Sequence, residues 1–165
     1  RGELPDIGPE SRAFFLERLH RPSPRLKLGR GLSLLAHAAI DVSDGLLADL
    51  GHICSQSGVA AEVHLGAVPV SAPAKVAMRD DVSLSVARLS AGDDYEILFT
   101  APECAAPDVA ALAAQLGILV TRIGGIYEGA GVRLVDDAGN EIPVAVHGFE
   151  HFRRQPGSRS EMAPV

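Results

Sequence analysis

An α/β layered domain with a mixed sheet is the fold this sequence predicts, and three observations predict it. Helical and extended patterns interleave along the whole chain, beginning with a strand, turn and helix between Ala39 and Cys54. Hydrophobic residues make up 47% and charged residues 22% of the chain, the balance of a packed globular protein. At 165 residues the chain holds one sizeable core, without an internal repeat.

Each element has a local cause. Arg1 to Pro9 reads as a linker, and Ser11 is expected to cap a short helix whose apolar face is Phe14, Phe15, Leu16 and Leu19. Residues 1–20 thus form a leading segment ahead of a domain over 21–152. Arg21-Pro22-Ser23-Pro24-Arg25 is extended, because each proline fixes its own backbone and turns the preceding residue away from helix. Leu32 to Ala38 is expected as helix and Ala39 to Val42 as a buried strand. Ser43-Asp44-Gly45 turns the chain into a helix from Leu46 to Cys54, with exit by Gly58.

Ala61, Val63 and Leu65 alternate with Ala60, Glu62 and His64, as in a strand exposed on one side. Short helices follow at Pro73 to Met78 and Val82 to Leu89, then a buried strand at Tyr95 to Thr100 and a helix at Ala105 to Leu116. Thr121 to Tyr127 and Val132 to Val135 read as strands, and Asp137-Ala138-Gly139-Asn140 as a hairpin turn. From Arg153 to Val165 the tail is polar and expected to be disordered.

Charge narrows the partners. Fifteen Lys and Arg against 21 Asp and Glu give a net charge of -6, which argues against nucleic acid or an anionic membrane as partner. A phosphate ligand then needs local help, which magnesium supplies by letting carboxylates and phosphate oxygens share a site. Cys54 and Cys104 have neither CxxC nor zinc spacing, and Arg1 to Glu10 is too polar for a signal peptide, so a reducing cytoplasm is the expected setting. The abrupt start without Met suggests a piece of a longer chain.

Three clusters can carry chemistry. Asp41-Val42-Ser43-Asp44-Gly45 sets two carboxylates and a hydroxyl beside free backbone N–H groups where a strand hands over to a helix. Asp41 and Asp44 suit magnesium and Ser43 a phosphate oxygen. The same residues also suit a plain helix cap and a solvated strand end. Asp49, slightly further on, complements the positive end of the helix dipole. In Gly92-Asp93-Asp94-Tyr95-Glu96, Asp93 can accept from a substrate amine or attract a cationic ring, or belong to an ordinary polar turn. In Gly148-Phe149-Glu150-His151-Phe152, Phe149 can stack on a flat heterocycle or seal the core.

Taken together, these clusters resemble the thiamine-monophosphate kinase family in its carboxy-terminal domain. Arg21-Pro22-Ser23-Pro24-Arg25, Ala39 to Leu46, Asp49 to Ile53, Gly92 to Glu96, Ile123-Gly124 and Gly148 to Phe152 carry the resemblance, across about residues 20 to 152. It implies a three-layer α/β/α fold around a mixed sheet, as in the wider group that includes aminoimidazole-ribotide synthase. It also implies transfer of the γ-phosphoryl group of ATP to thiamine monophosphate with several magnesium ions. Asp41 and Asp44 match magnesium ligands, Ser43 a nucleotide contact, and Asp93 and Phe149 substrate contacts; no residue here matches a general base. Asp93 stands where the family often has Glu, and Phe149 where Tyr is common.

The family's amino-terminal domain supplies further acidic ligands and the homodimer contact, and nothing in Arg1 to Pro24 stands for it. Little activity is therefore expected of this chain alone. Two alternatives stay open from sequence: another ATP-dependent member of the wider group, and a noncatalytic nucleotide-binding or scaffold domain.

Overall fold

The computed structural model describes residues 7–78 and 82–144. The first helix, α1 (Gly8–His20), starts three residues ahead of Ser11, because Pro9 sits in its first turn, where a missing N–H costs nothing. It ends at His20 as expected, yet buries no residue. After a segment without helix or strand, whose end residues Arg21 (φ -140°, ψ 66°) and Arg25 (φ -87°, ψ 45°) depart from the expected extended geometry, comes α2 (Leu26–Leu32). This is a correction: the expected Leu32 to Ala38 helix is a turn, and the helix lies one segment earlier. Two glycines disguise α2, and packing explains them. A Cβ on Gly31 would stand 2.6 Å from the Leu112 side chain, and one on Gly29 would stand 3.3 Å from Ile97. Close approach here outweighs the low helix propensity of glycine.

The next strand, β1 (Ala38–Asp41), feeds the turn into α3 (Leu46–Ser57). Gly58 closes α3 at φ 66°, its N–H donating to the Cys54 carbonyl, and β2 (Val59–His64) begins at once. Two short helices, α4 (Ala72–Met78) and α5 (Val82–Ala87), precede β3 (Ile97–Thr100), and α6 (Ala106–Leu116) follows it. The chain then runs through β4 (Gly124–Glu128), β5 (Gly131–Val135) and β6 (Glu141–Ile142).

Two expected strands begin late. Tyr95 and Glu96 lie outside β3 because Asp93 and Tyr95 have φ of 66° and 51°, which no strand accommodates. Thr121 to Ile123 lie outside β4, although the Ile123 carbonyl still accepts from the His64 amide. The expected hairpin turn is present. The Asp136 carboxylate accepts from the Ala138 and Asn140 amides, and β5 and β6 pair across it.

The strands form two sheets. β1 and β3 pair antiparallel, Ile40 opposite Leu98 and Ala39 opposite Phe99. Ile40 and Leu98 pack towards α3, whereas Ile97 and Phe99 pack on Leu28 and Leu32 of α2 and Val109 of α6. Helices therefore cover both faces of this ribbon, an α/β/α layering. The second sheet has the order β4-β2-β5-β6 and is mixed, β2 running antiparallel to β4 and parallel to β5. Its inner residues Ala61, Val63 and Leu134 meet Leu47, Leu50 and Cys54 of α3, so α3 lies between the two sheets at the centre of the core. Each large aliphatic side chain buried there contributes about 1.5–3 kcal/mol relative to exposure.

Candidate functional site: an acidic corner between two loops

The site grows out of the end of β1. Pairing with β3 continues past both strands, for the Val42 amide donates to the Glu96 carbonyl and the Tyr95 amide to the Val42 carbonyl. One step further, the Asp93 amide donates to the Ser43 carbonyl at 3.0 Å. Gly92 permits this approach: a Cβ there would overlap the Ser43 carbonyl oxygen. Asp41-Val42-Ser43-Asp44-Gly45 and Gly92-Asp93-Asp94-Tyr95-Glu96, remote in sequence, thus form one corner at the start of α3.

Gly45 completes the turn. Its φ of 114° suits glycine, and a Cβ would meet the Ser90 backbone at 3.0 Å. Inside the turn lies Asp49, the one buried charged residue among those described, 2% exposed. Its Oδ2 accepts from the Ser43 amide at 3.0 Å and the Asp44 amide at 3.1 Å. A dipole partner was expected of Asp49; it also ties down the turn ahead of the helix. Both main-chain groups of Ser43 are engaged, its amide by Asp49 and its carbonyl by the Asp93 amide. Asp41 is exposed and Asp44 half-buried.

Asp44, Asp49 and His52 each offer a donor atom, and these atoms lie within 4.8 Å of one another. His52 was not singled out from the sequence. Its signal was its spacing, since Asp49 and His52 stand three apart on a helix and so share a face. Hard carboxylate oxygens fit magnesium, whereas an imidazole nitrogen suits softer metals. By that chemistry the carboxylates of this group suit magnesium better than His52 does, and Asp41 lies outside the group.

The second loop is charged on both sides. Glu96 receives the guanidinium groups of Arg18 at 2.8 Å and Arg25 at 2.7 Å. The Arg25 hydrogen bond, ahead of burial and the remaining charge effects, holds the Glu96 carboxyl below its usual range, and the same bond raises Arg25. Asp94 moves the other way. Crowding by neighbouring atoms, then the Glu96 charge, pushes its carboxyl up, against the pull of Arg18 and Arg88, although it keeps contact with solvent. The Tyr95 hydroxyl donates to Asp93 at 3.3 Å, and the Asp93 charge pushes the phenol up. An open pocket lined by Arg18, Leu19, Gly92, Asp93 and Asp94 runs alongside. Neither Glu96 nor its arginines had been given this role from sequence; Arg25 in the proline-flanked segment was the available hint.

Of the sequence-predicted site residues, Asp41, Ser43, Asp44 and Asp93 converge on this corner. Phe149 and its Gly-Phe-Glu-His-Phe segment lie outside the described residues, as does the tail from Arg153.

Fold and corner together define an α/β domain with a carboxylate-lined crevice at the end of a strand, a common ligand position in such sheets. Residues 17–137 match the family described as AIR synthase related protein, C-terminal domain. The chain belongs to that family. It is 38% identical over 149 residues to the thiamine-monophosphate kinase of Haemophilus influenzae (strain ATCC 51907 / DSM 11121 / KW20 / Rd), covering 87% of this chain and 45% of the relative. The crystal structure of thiamine-monophosphate kinase from Stenotrophomonas maltophilia K279a superposes with a TM-score of 0.72 at 42% identity, over 76% of this chain and 39% of that one. A structure described as AaThiL complexed with AMPPCP and TMP superposes at 0.69 with 27% identity, over 88% and 43%. The chain spans less than half the length of the curated relatives it matches.

Proposed function

We propose that this chain supplies the carboxy-terminal part of an ATP-dependent phosphotransferase that converts thiamine monophosphate to thiamine diphosphate. The observation that carries the reading is the hydrogen bond from the Asp93 amide to the Ser43 carbonyl, which makes one site of two acidic loops in a chain akin to thiamine-monophosphate kinases. In this reading Asp41 and Asp44 hold magnesium, Ser43 contacts the nucleotide, and Asp93 and Phe149 contact the acceptor. Magnesium, when bound, supplies the charge neutralisation that two anionic reactants need.

The roles suit the chemistry. An acceptor phosphate oxygen is already ionised at neutral pH, so no strong general base is required of this chain, and positioning carries the catalysis. Asp93, held at φ 66° by its bond to Ser43, sets the acceptor side of the crevice against the nucleotide side. The complete protein works in the cytoplasm as a homodimer through its other domain, which also contributes further acidic ligands; this chain alone turns over little.

The test uses the complete gene product that contains this chain. ATP-dependent formation of thiamine diphosphate from thiamine monophosphate is expected, with a loss of at least about 100-fold in turnover for Asp41→Asn and for Asp44→Asn at unchanged circular dichroism. Retained turnover in both variants would leave the domain a scaffold.

A further inference from the structure

Asp49 is an acid in an unusual place. At 2% exposure it lies among Leu47, Ala48 and Leu50, in a core where carboxylates are rarely found unpaired. Both hydrogen bonds to its side chain end on one oxygen, and both donors, the Ser43 and Asp44 amides, precede the helix that carries it. A buried carboxylate that accepts two N–H bonds is strongly directional, because moving either donor leaves a charged acceptor unsatisfied.

We infer that Asp49 is a positioning residue, an internal tether that fixes the orientation of Ser43 and Asp44 and, through the Ser43 carbonyl, the register of the Asp93 loop. The inference rests on the phosphotransferase reading for its effect on turnover, and on geometry alone for its effect on the turn. The chain of bonds is continuous. Asp49 holds the Ser43 amide from within, the Asp93 amide holds the Ser43 carbonyl from without, and Gly92 brings the two backbones into contact. Ser43 is thereby clamped at both main-chain groups, which fixes the point and direction at which its side chain leaves the backbone. Asp44, whose amide shares the same oxygen, has its own carboxylate aimed by the same tether. Asp49 need not touch a ligand for either effect, since its bonded oxygen is occupied by the turn.

A tether makes a distinctive prediction about charge. Asparagine retains a carbonyl oxygen that can accept both amides, whereas alanine retains nothing. A direct metal ligand would lose strength in both variants, and a mere packing residue would change neither amide.

The experiment compares Asp49→Asn and Asp49→Ala in the complete gene product by three readouts. Amide hydrogen exchange is followed at Ser43 and Asp44 against Val63 and Leu134 as core references, manganese binding is measured by titration calorimetry without nucleotide, and kcat and KM are measured. Expected for Asn are exchange protection at Ser43 and Asp44 and manganese affinity within about threefold of the parent, with turnover within about tenfold. Expected for Ala are protection lost at those two amides but kept at the references, and affinity at least about tenfold weaker. Turnover should fall by about 100-fold with a smaller change in KM.

Equal damage to manganese binding in both variants would overturn the tether in favour of direct ligation, and unchanged protection in Ala would overturn it outright. Should Ala fail to fold, Asn alone decides, because the tether requires it to keep both protection and affinity. Should thiamine diphosphate formation be absent from the parent protein, exchange and manganese binding still test the tether while the phosphotransferase reading falls.

Discussion

Helices α1 and α3 differ by one residue in length and by almost everything else. Of the twelve residues in α3, six are buried, and Leu47 and Leu50 anchor it between two sheets. None of the thirteen in α1 is buried, and Phe14, Leu16 and Leu19 stand exposed. Core burial holds the first; a bridge from Arg18 to Glu96 holds the second. The difference teaches that the acidic corner has a rigid side, built on α3, and a loosely attached side, where α1 reaches the pocket through Arg18 and Leu19. Each side can be disturbed separately.

The largest effect is expected on the rigid side. Leu47→Ala, at 1% exposure, should cost about 2–5 kcal/mol in denaturant unfolding, whereas Phe14→Ala on α1 should stay within about 0.5 kcal/mol. A Phe14 effect as large as that of Leu47 would erase the contrast. Next comes Gly92→Ala, which acts where the two sides meet. The added Cβ must displace the Ser43 carbonyl, and a shift of that size should lower turnover of the complete protein about 100-fold. Unchanged turnover would mean that contact between the loops is dispensable.

Smaller still is Glu96→Gln. Surface-accessible ion pairs contribute about 0–1 kcal/mol, so unfolding should scarcely change while limited proteolysis within α1 accelerates. Acid should mimic the substitution. The Glu96 carboxyl is depressed in the folded chain, so its contribution is complete above the ordinary Glu range and is lost as pH falls through the lowered folded value. Asp94 has the opposite sign, favouring the fold at low pH and losing that contribution as pH rises through its raised value. Protease sensitivity of α1 that is flat across the acid range, in parent and Glu96→Gln alike, would remove Glu96 as the tie.

Much of the rigid side was legible in the sequence. Helical spacing of Leu46, Leu47, Leu50 and Ile53 marks α3, and Ser43-Asp44-Gly45 marks its turn, because both signals are local. Ser11 misled as a cap because Pro9 had already started the helix, and α2 was displaced because Gly29 and Gly31 look like breakers until α6 and β3 are seen against them. Asp41, Ser43, Asp44 and Asp93 could be selected by chemistry. What no local pattern carries is that Asp93 bonds to Ser43 or that Glu96 gathers Arg18 and Arg25, since each depends on chain returning from far away. The Asp49 tie to Ser43 is only six residues long, but aspartate near a helix start suits a dipole role as well.

The pairing of Ala38 with Thr100 closes a long stretch of chain before any part of the corner can exist. Closing a loop of that length costs entropy that only later contacts recover, so antiparallel β1 and β3 belong to the slow, nonlocal part of assembly. During synthesis Asp41 and Asp44 therefore emerge well before the partner strand that shapes their surroundings. The nascent domain carries these acids as ordinary solvated side chains, and their juxtaposition with the Asp93 loop is acquired only when the two strands pair.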